Sequence, residues 1–286
     1  MYRYLEAKND GLPTRSSGPW ALEKLDYLKR YIEVFETSMR DKWLVRNYVD
    51  LLAGPGKNDI REAQTVVLGS PLLALTATHP FTGYYFIDSD PRNTKALRSR
   101  CAASAERDRV HIDTGDCNDL VDDVVTELKR TEQKSLNLAF LDPEGLELLW
   151  PTVAKLAGIR RMDLIINYPE GGLNRVMAKM YRDPEETIVD RFFGTDEWRS
   201  VYTHWRQTRQ GSVHRQLIDL YKRQFSALDY KEVLRADELG EEPLMRNVKR
   251  RAPLYRLLFA SKHPLGQRFW HAVTRRDVYG QARLFE

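Results

Sequence analysis

Short apolar runs alternate along this chain with stretches whose apolar residues recur every three or four positions. The runs fall at 48–52, 84–87, 110–112, 136–141 and 162–166, and each leads into a turn rich in Gly, Pro, Asp or Asn. That alternation predicts an α/β chain with a mostly parallel sheet. Ahead of the first run, Leu22, Leu25, Leu28, Ile32 and Phe35 set out an amphipathic helix at 20–39, with Trp20 and Trp43 as packing residues. After it, the connection at 57–68 is polar, then apolar, and reads as an elongated loop that is either a lid or a surface excursion. Gly69-Ser70-Pro71 then opens a helix, with Ser70 as N-cap and Pro71 in the first turn. Asp90 caps a further helix that runs to about Ala105, and another helix follows at 119–130.

The stretch 173–228 is too long for a simple crossover and predicts a helical insertion, in which Thr195 or Asp196 caps the helix holding Trp198. Late strands at 230–236 and 254–260, joined as an antiparallel pair, would bring the sheet to seven strands before a last helix through Phe269, Trp270 and Val273. The domain therefore spans 19–286, behind a polar, flexible leader at 1–18.

Composition narrows the setting. A chain of 286 residues, 42% hydrophobic and 30% charged, can bury a sizeable core and stay soluble. It has no apolar run near the roughly 18 residues of a membrane span, and its N-terminus has no secretory apolar region. Cys101 and Cys117 make neither a disulfide framework nor a zinc spacing, so a reducing cytoplasm is the expected home. His204 and His214 lack paired ligands, and no metal site is expected.

The most chemically informative stretch is Asp50-Leu51-Leu52-Ala53-Gly54-Pro55-Gly56. Two glycines at alternate positions let the backbone turn tightly and approach a bulky ligand, because no Cβ intervenes. A strand delivering such a turn at its carboxyl end is how open α/β sheets build a nucleotide-sized site. An acid, three residues, then Gly-x-Gly resembles the first motif of class I S-adenosylmethionine-dependent methyltransferases. That resemblance implies a Rossmann-like methyltransferase fold, with Asp50, Ala53, Gly54, Pro55 and Gly56 around the methionine part of S-adenosyl-L-methionine. Asp88, ending the second strand, would take the ribose hydroxyls, and Asp116, followed by Cys117, would approach adenine. An acid in a Gly-Asp turn is also an ordinary helix cap.

Asp142-Pro143 resembles the fourth methyltransferase motif, where a strand-end Asp or Asn meets the group to be methylated. Methyl transfer needs an in-line nucleophile, held close, oriented and relieved of its proton. Asp142 is the candidate for orienting the acceptor, with Glu144 and Asn167 as neighbours at the same sheet edge. Enzymes that methylate exocyclic amines usually carry two prolines or an aromatic residue here, whereas this chain has Glu144-Gly145.

Taken in order, Leu52-Ala53-Gly54-Pro55-Gly56, Gly69-Ser70-Pro71-Leu72, Phe86-Ile87-Asp88, Leu141-Asp142-Pro143, Phe193-Gly194-Thr195-Asp196-Glu197-Trp198 and Lys262-His263-Pro264 resemble the three-Cys-motif partner family. The set spans about 20–276. It implies a bacterial or phage methyltransferase-like protein beside a three-Cys-motif protein similar to radical S-adenosylmethionine enzymes. Two roles follow: a methyltransferase acting on nucleic acid or a nucleotide-derived acceptor, or a non-catalytic partner subunit.

Other glycine-loop readings fit less well. Gly54-Pro55-Gly56-Lys57-Asn58 lacks the spacing of a phosphate-binding P-loop, and Asp59 stands where a nicotinamide fingerprint needs its third glycine. Asp116, Asp142 and Glu144 would be the carboxylates of a metal-dependent nuclease. His263 is either a base or an ordinary strand-end histidine. The run 246–256, with Arg246, Lys249, Arg250, Arg251 and Arg256, is the densest basic segment and the expected grip on nucleic-acid phosphates.

Overall fold

The computed structural model describes residues 2–230 and 242–275. Seven strands form the central sheet: β2 (Val45–Asp50), β5 (Gly83–Asp88), β6 (Val110–Thr114), β7 (Ser135–Leu141), β8 (Met162–Tyr168), β9 (Leu244–Arg246) and β10 (Pro253–Ala260). Their spatial order is β6-β5-β2-β7-β8-β10-β9. The first five run parallel, and β10 is antiparallel to both β8 and β9. Renumbered within this sheet the order is 3-2-1-4-5-7-6, which reverses direction between β2 and β7. The fold is the expected Rossmann-like methyltransferase sheet with its late antiparallel pair.

Alternate residues of each central strand face opposite layers. Tyr48, Phe86, Leu138, Phe140, Ile165, Leu257 and Phe259 pack under α1 (Trp20–Met39), α2 (Ser70–Leu75), α3 (Pro91–Cys101) and α10 (Pro264–Thr274). Val49, Ile87, Ala139, Leu141, Leu164, Ile166 and Leu258 face α4 (Cys117–Arg130), α5 (Trp150–Ala157) and the helices that follow β8. A sheet covered on both faces explains the near-continuous apolar runs.

The inserted helices are α6 (Glu170–Met180), α7 (Ile188–Phe193), α8 (Glu197–Thr208) and α9 (Val213–Ser226). Gly194 ends α7 at φ +66°, and a Cβ there would stand 2.3 Å from the Trp150 ring. Trp198 is buried, and its indole N–H donates to Asp190 at 2.8 Å. The Phe-Gly-Thr-Asp-Glu-Trp segment is thus a packing joint. Asp196 precedes α8, but Thr195 Oγ1 receives the Glu197 N–H, at 3.2 Å.

Several expectations change. The 57–68 connection is a hairpin of β3 (Lys57–Ile60) and β4 (Thr65–Leu68), and β1 (Arg15–Ser17) joins it as a parallel third strand. The segment expected as a flexible leader is therefore tied down. Leu5 is fully buried, the Ala7 N–H bonds the Val66 carbonyl, and Asp10 pairs with Lys57 and Arg100. Polar sequence hid this, because backbone pairing and ion pairs anchor the segment. Ser70 is the first residue of α2 rather than its cap, and α3 ends at Cys101. Most of the expected strand at 230–236 lies outside the described residues, and among the described residues β10 pairs with β9 on its outer side. Among the described residues no helix is long and apolar enough to cross a membrane.

Candidate active site

The turn after β2 is held from three sides. Gly54 and Gly56 adopt φ +62° and +89°, where a side chain is strained. A Cβ on Gly56 would meet Leu97 at 2.9 Å. The Gly69 N–H bonds the Gly56 carbonyl at 2.7 Å, and a Cβ on Gly69 would stand 3.0 Å from that carbonyl, so both glycines permit the close approach. Arg100 of α3 donates to Pro55 O at 2.5 Å while also gripping Asp10. Asp88 holds the other side, accepting from the Gly54 N–H at 2.8 Å, the Asp90 N–H at 2.9 Å and the Asn93 amide at 3.0 Å.

Ala53, Gly54, Pro55 and Gly56 form one wall of a cavity of about 280 Å³, and Asp142, Pro143, Glu144 and Asn167 form another. These ends of β2, β7 and β8 meet because the three strands are parallel neighbours. Between them, Asp142 Oδ2 lies 2.5 Å from Lys24 Nζ, in a pair almost closed to solvent. Asp142 Oδ1 accepts from the Asn167 amide at 2.8 Å, and the same amide reaches Pro143 O at 3.2 Å. Arg15 bonds Glu144 at 2.6 Å, and its side chain lies 4.0 Å from where a Gly54 Cβ would stand. Trp20 and Tyr255 line the same space.

Asn167 Oδ1 and the Tyr255 hydroxyl, on residues of the cavity wall, and Asp50 Oδ2, buried beneath it, have no partner. Burial pushes the Asp50 carboxyl up to about 7, against the Ser70 hydroxyl and the Leu52 N–H. Burial also draws Lys24 below the usual lysine value, opposed by Asp142. Around Arg15 burial acts against the charge, but Asp142, Glu144 and Asp88 outweigh it and raise the guanidinium. A cavity with a glycine cradle, orphaned acceptors and an arginine matches a zwitterionic amino-acid group. The acceptors suit its ammonium and Arg15 its carboxylate. The methionine end of S-adenosylmethionine fits those residues.

Of the residues singled out from sequence, Ala53, Gly54, Pro55, Gly56, Asp142, Glu144 and Asn167 line this cavity, and Asp50 sits buried beneath it. Asp88, Asp116 and Cys117 do not line it. Asp88 bonds the turn and the start of α3. Asp116 is the N-cap of α4, accepting from the Asn118 N–H at 2.8 Å, and Cys117 is a buried thiol that burial pushes up to about 12. Among the described residues no three histidine, cysteine or acid side chains are placed to hold a metal ion. His263 caps α10, its Nδ1 accepting from the Leu265 N–H at 3.1 Å.

Sequence reasoning missed Arg15, Lys24 and Tyr255. Lys24 did leave a signal, since Ala21, Leu25 and Leu28 place it on the apolar stripe of α1. A lysine on such a stripe needs a buried partner. Arg15 left none, standing in a segment of plain polar composition.

No protein-family model matches the chain, and no curated relative matches it. Solved structures do. One from Legionella pneumophila is 13% identical, with a TM-score of 0.38 over 55% of this chain and 73% of its own. A Bordetella parapertussis protein is 12% identical over 85% of this chain and 69% of its own, with a TM-score of 0.39. A Methanococcus maripaludis protein, described as a candidate S-adenosyl-L-methionine-dependent methyltransferase, is 10% identical over 84% and 89%, with a TM-score of 0.30. The sheet order, rather than these likenesses, carries the fold.

Proposed function

We propose that this chain binds S-adenosyl-L-methionine and transfers its methyl group to nucleic acid or a nucleotide-derived acceptor. The observation carrying this reading is that the glycine turn and the Asp142–Asn167 strand ends are walls of one cavity. Asp50, Asn167 and Arg15 would hold the methionine end, while the adenosine would run toward Asp88 and Asp116. When bound, S-adenosylmethionine supplies an electrophilic methyl carbon. Asp142 would position the acceptor through its neighbours.

The basic run supports a polyanionic acceptor. In the register Arg256 stands opposite Tyr168, so Pro253 and the turn before it project past the carboxyl edge of β8. Lys249, Arg250 and Arg251 are exposed there, beside the cavity-lining Tyr255. Arg256 itself is drawn inward to Glu170, at 2.8 Å.

Arg15 favours a second reading, in which its guanidinium keeps its place over Gly54 and excludes the cofactor. The chain would then be a non-catalytic partner of a three-Cys-motif protein. Calorimetric titration with S-adenosylmethionine and S-adenosylhomocysteine separates the two readings. If Arg15 holds the carboxylate, wild type binds and Arg15→Ala binds about tenfold more weakly, the loss of a charge-assisted contact. Binding by Arg15→Ala but not by wild type would establish the second reading.

A further inference from the structure

We propose that a second cavity, at the opposite edge of the sheet, binds a small carboxylate carried on a flexible apolar chain. The glycine turn lies at the carboxyl ends of the parallel strands. This cavity lies at their amino ends, where β7 and β8 begin at Ser135 and Met162 and the antiparallel β10 finishes at Ala260. It encloses about 400 Å³ between the end of α1 and the start of α10, a volume in the range of small-molecule sites. Buried Phe35, Met39 and Met162 form its floor, and half-buried Trp43, Leu136 and Phe269 continue the apolar surface outward. The two cavities share no lining residue, so this site stands apart from the cofactor reading.

The mouth is basic. Lys42 and Arg160 are exposed there, and Arg161 and Lys262 are half-buried. The bonds of three of these go to uncharged oxygens. Arg160 reaches Gln133 Oε1 at 3.0 Å, Arg161 the carbonyls of Glu132 and Gln133 at 3.0 and 3.3 Å, and Lys262 the Ile159 carbonyl at 3.0 Å. Burial acts against the Lys262 charge, while Asp229 and Glu132 support it. The acid in the lining, Asp163, is buried, and its Oδ2 accepts from the Tyr31 hydroxyl at 2.7 Å. An apolar floor beneath a cationic mouth is complementary to an amphipathic anion. Because Asp163 shares the lining, a singly charged head suits the site better than a doubly charged phosphate. Two thioethers in the floor adapt to a flexible chain, whereas the Trp43 ring already carries the Arg161 guanidinium, 4.5 Å from its centroid.

Calorimetric titration of the full chain with octanoate, hexanoate, octanol, octyl phosphate and acetate tests the proposal. Octanoate should saturate a single site. Hexanoate should bind about tenfold more weakly for its two missing methylenes, and octanol about tenfold more weakly for its missing charge. Octyl phosphate should bind no more tightly than octanoate, and acetate should not bind. Lys42→Ala combined with Arg160→Ala alters two exposed side chains and should weaken octanoate about fivefold, the scale of exposed charge contacts. Leu265→Trp fills the cavity from its wall and should abolish binding. Arg15→Ala should bind octanoate as wild type does, since Arg15 lines the other cavity. Non-saturating uptake of octanoate, octanol binding as tightly as octanoate, or tighter binding of octyl phosphate would overturn the proposal. So would unchanged affinity in Leu265→Trp, or loss of octanoate binding in Arg15→Ala. The ligand series in wild type decides the point even if Leu265→Trp does not fold.

Discussion

Two of the charge clusters inside this molecule are finished differently. In the helical insertion, Asp190 receives hydrogen bonds from the Thr187 N–H and hydroxyl, the Trp198 indole and the Arg199 guanidinium. Arg199 spends its remaining donors on the carbonyls of Met180, Tyr181, Asp183 and Glu185. Burial acts against the Asp190 charge, but those donors hold its carboxyl far below the usual range. At the sheet edge, by contrast, the cluster around Asp142 leaves Asp50 Oδ2 and Asn167 Oδ1 without partners and opens onto a cavity. Buried polar groups are normally satisfied, so a complete network reads as architecture and an incomplete one as a place for a ligand.

The largest effect should come from breaking the finished cluster. Asp190→Ala strands a largely buried guanidinium and an indole N–H, and should cost about 3–5 kcal/mol in denaturant unfolding. S-adenosylhomocysteine affinity of the folded protein should not change. A loss below about 1 kcal/mol would mean the network is not structural.

The unfinished cluster has the opposite pH signature. Burial lifts the Asp50 carboxyl to about 7 in the fold from an ordinary 3.8, so between those values the folded state holds a proton that the unfolded chain has lost. Stability therefore falls as pH rises through that window, the reverse of a salt-bridged acid such as Asp190. Asp50→Asn should remove this slope, a difference on the order of 2–4 kcal/mol between pH 4 and 7. Thermal melts of both proteins across the window check it, and identical slopes would place the proton elsewhere.

Gly56→Ala tests the cradle itself. Its positive φ and the contacts awaiting a Cβ at Leu97 and Leu72 predict a loss of about 1–3 kcal/mol, with S-adenosylhomocysteine binding weakened as the turn shifts. Unaltered binding would show that the turn does not cradle the ligand.

How far these regions were legible in sequence follows from what each depends on. The strands of the parallel core and their terminal acids were readable because burial on two faces writes continuous apolar runs that break sharply at turns. The Asp142–Asn167 meeting followed from adjacent strand ends. Arg15 and Lys24 did not show, because each meets its acid only after the sheet has formed. Lys24 and Asp142 are 118 residues apart. Polar composition also misled about residues 1–18, where Leu5 and Asp10 are the anchors. The late antiparallel pair was expected in kind, but β9 itself was not, since its three residues write almost no pattern.

The smallest effect should come from Glu144, and it bears most directly on which strand-end acid acts. Sequence put Glu144 beside Asp142 as a candidate for the chemistry. In the structure its side chain is 74% exposed and bonded to Arg15, while the backbone N–H groups of Glu144 and Gly145 are taken by Glu147. A carboxylate so placed has no enclosed proton partner and is screened by water. Glu144→Gln keeps a hydrogen-bond acceptor for Arg15, so stability should move by less than about 1 kcal/mol, the range of an exposed pair. Labelled methyl transfer should stay within about threefold of wild type, against the roughly 100-fold loss expected where a general base is removed. If Glu144→Gln instead matched that loss, the exposed acid would be the base and the Lys24–Asp142 pair would be architecture, like Asp190 and Arg199.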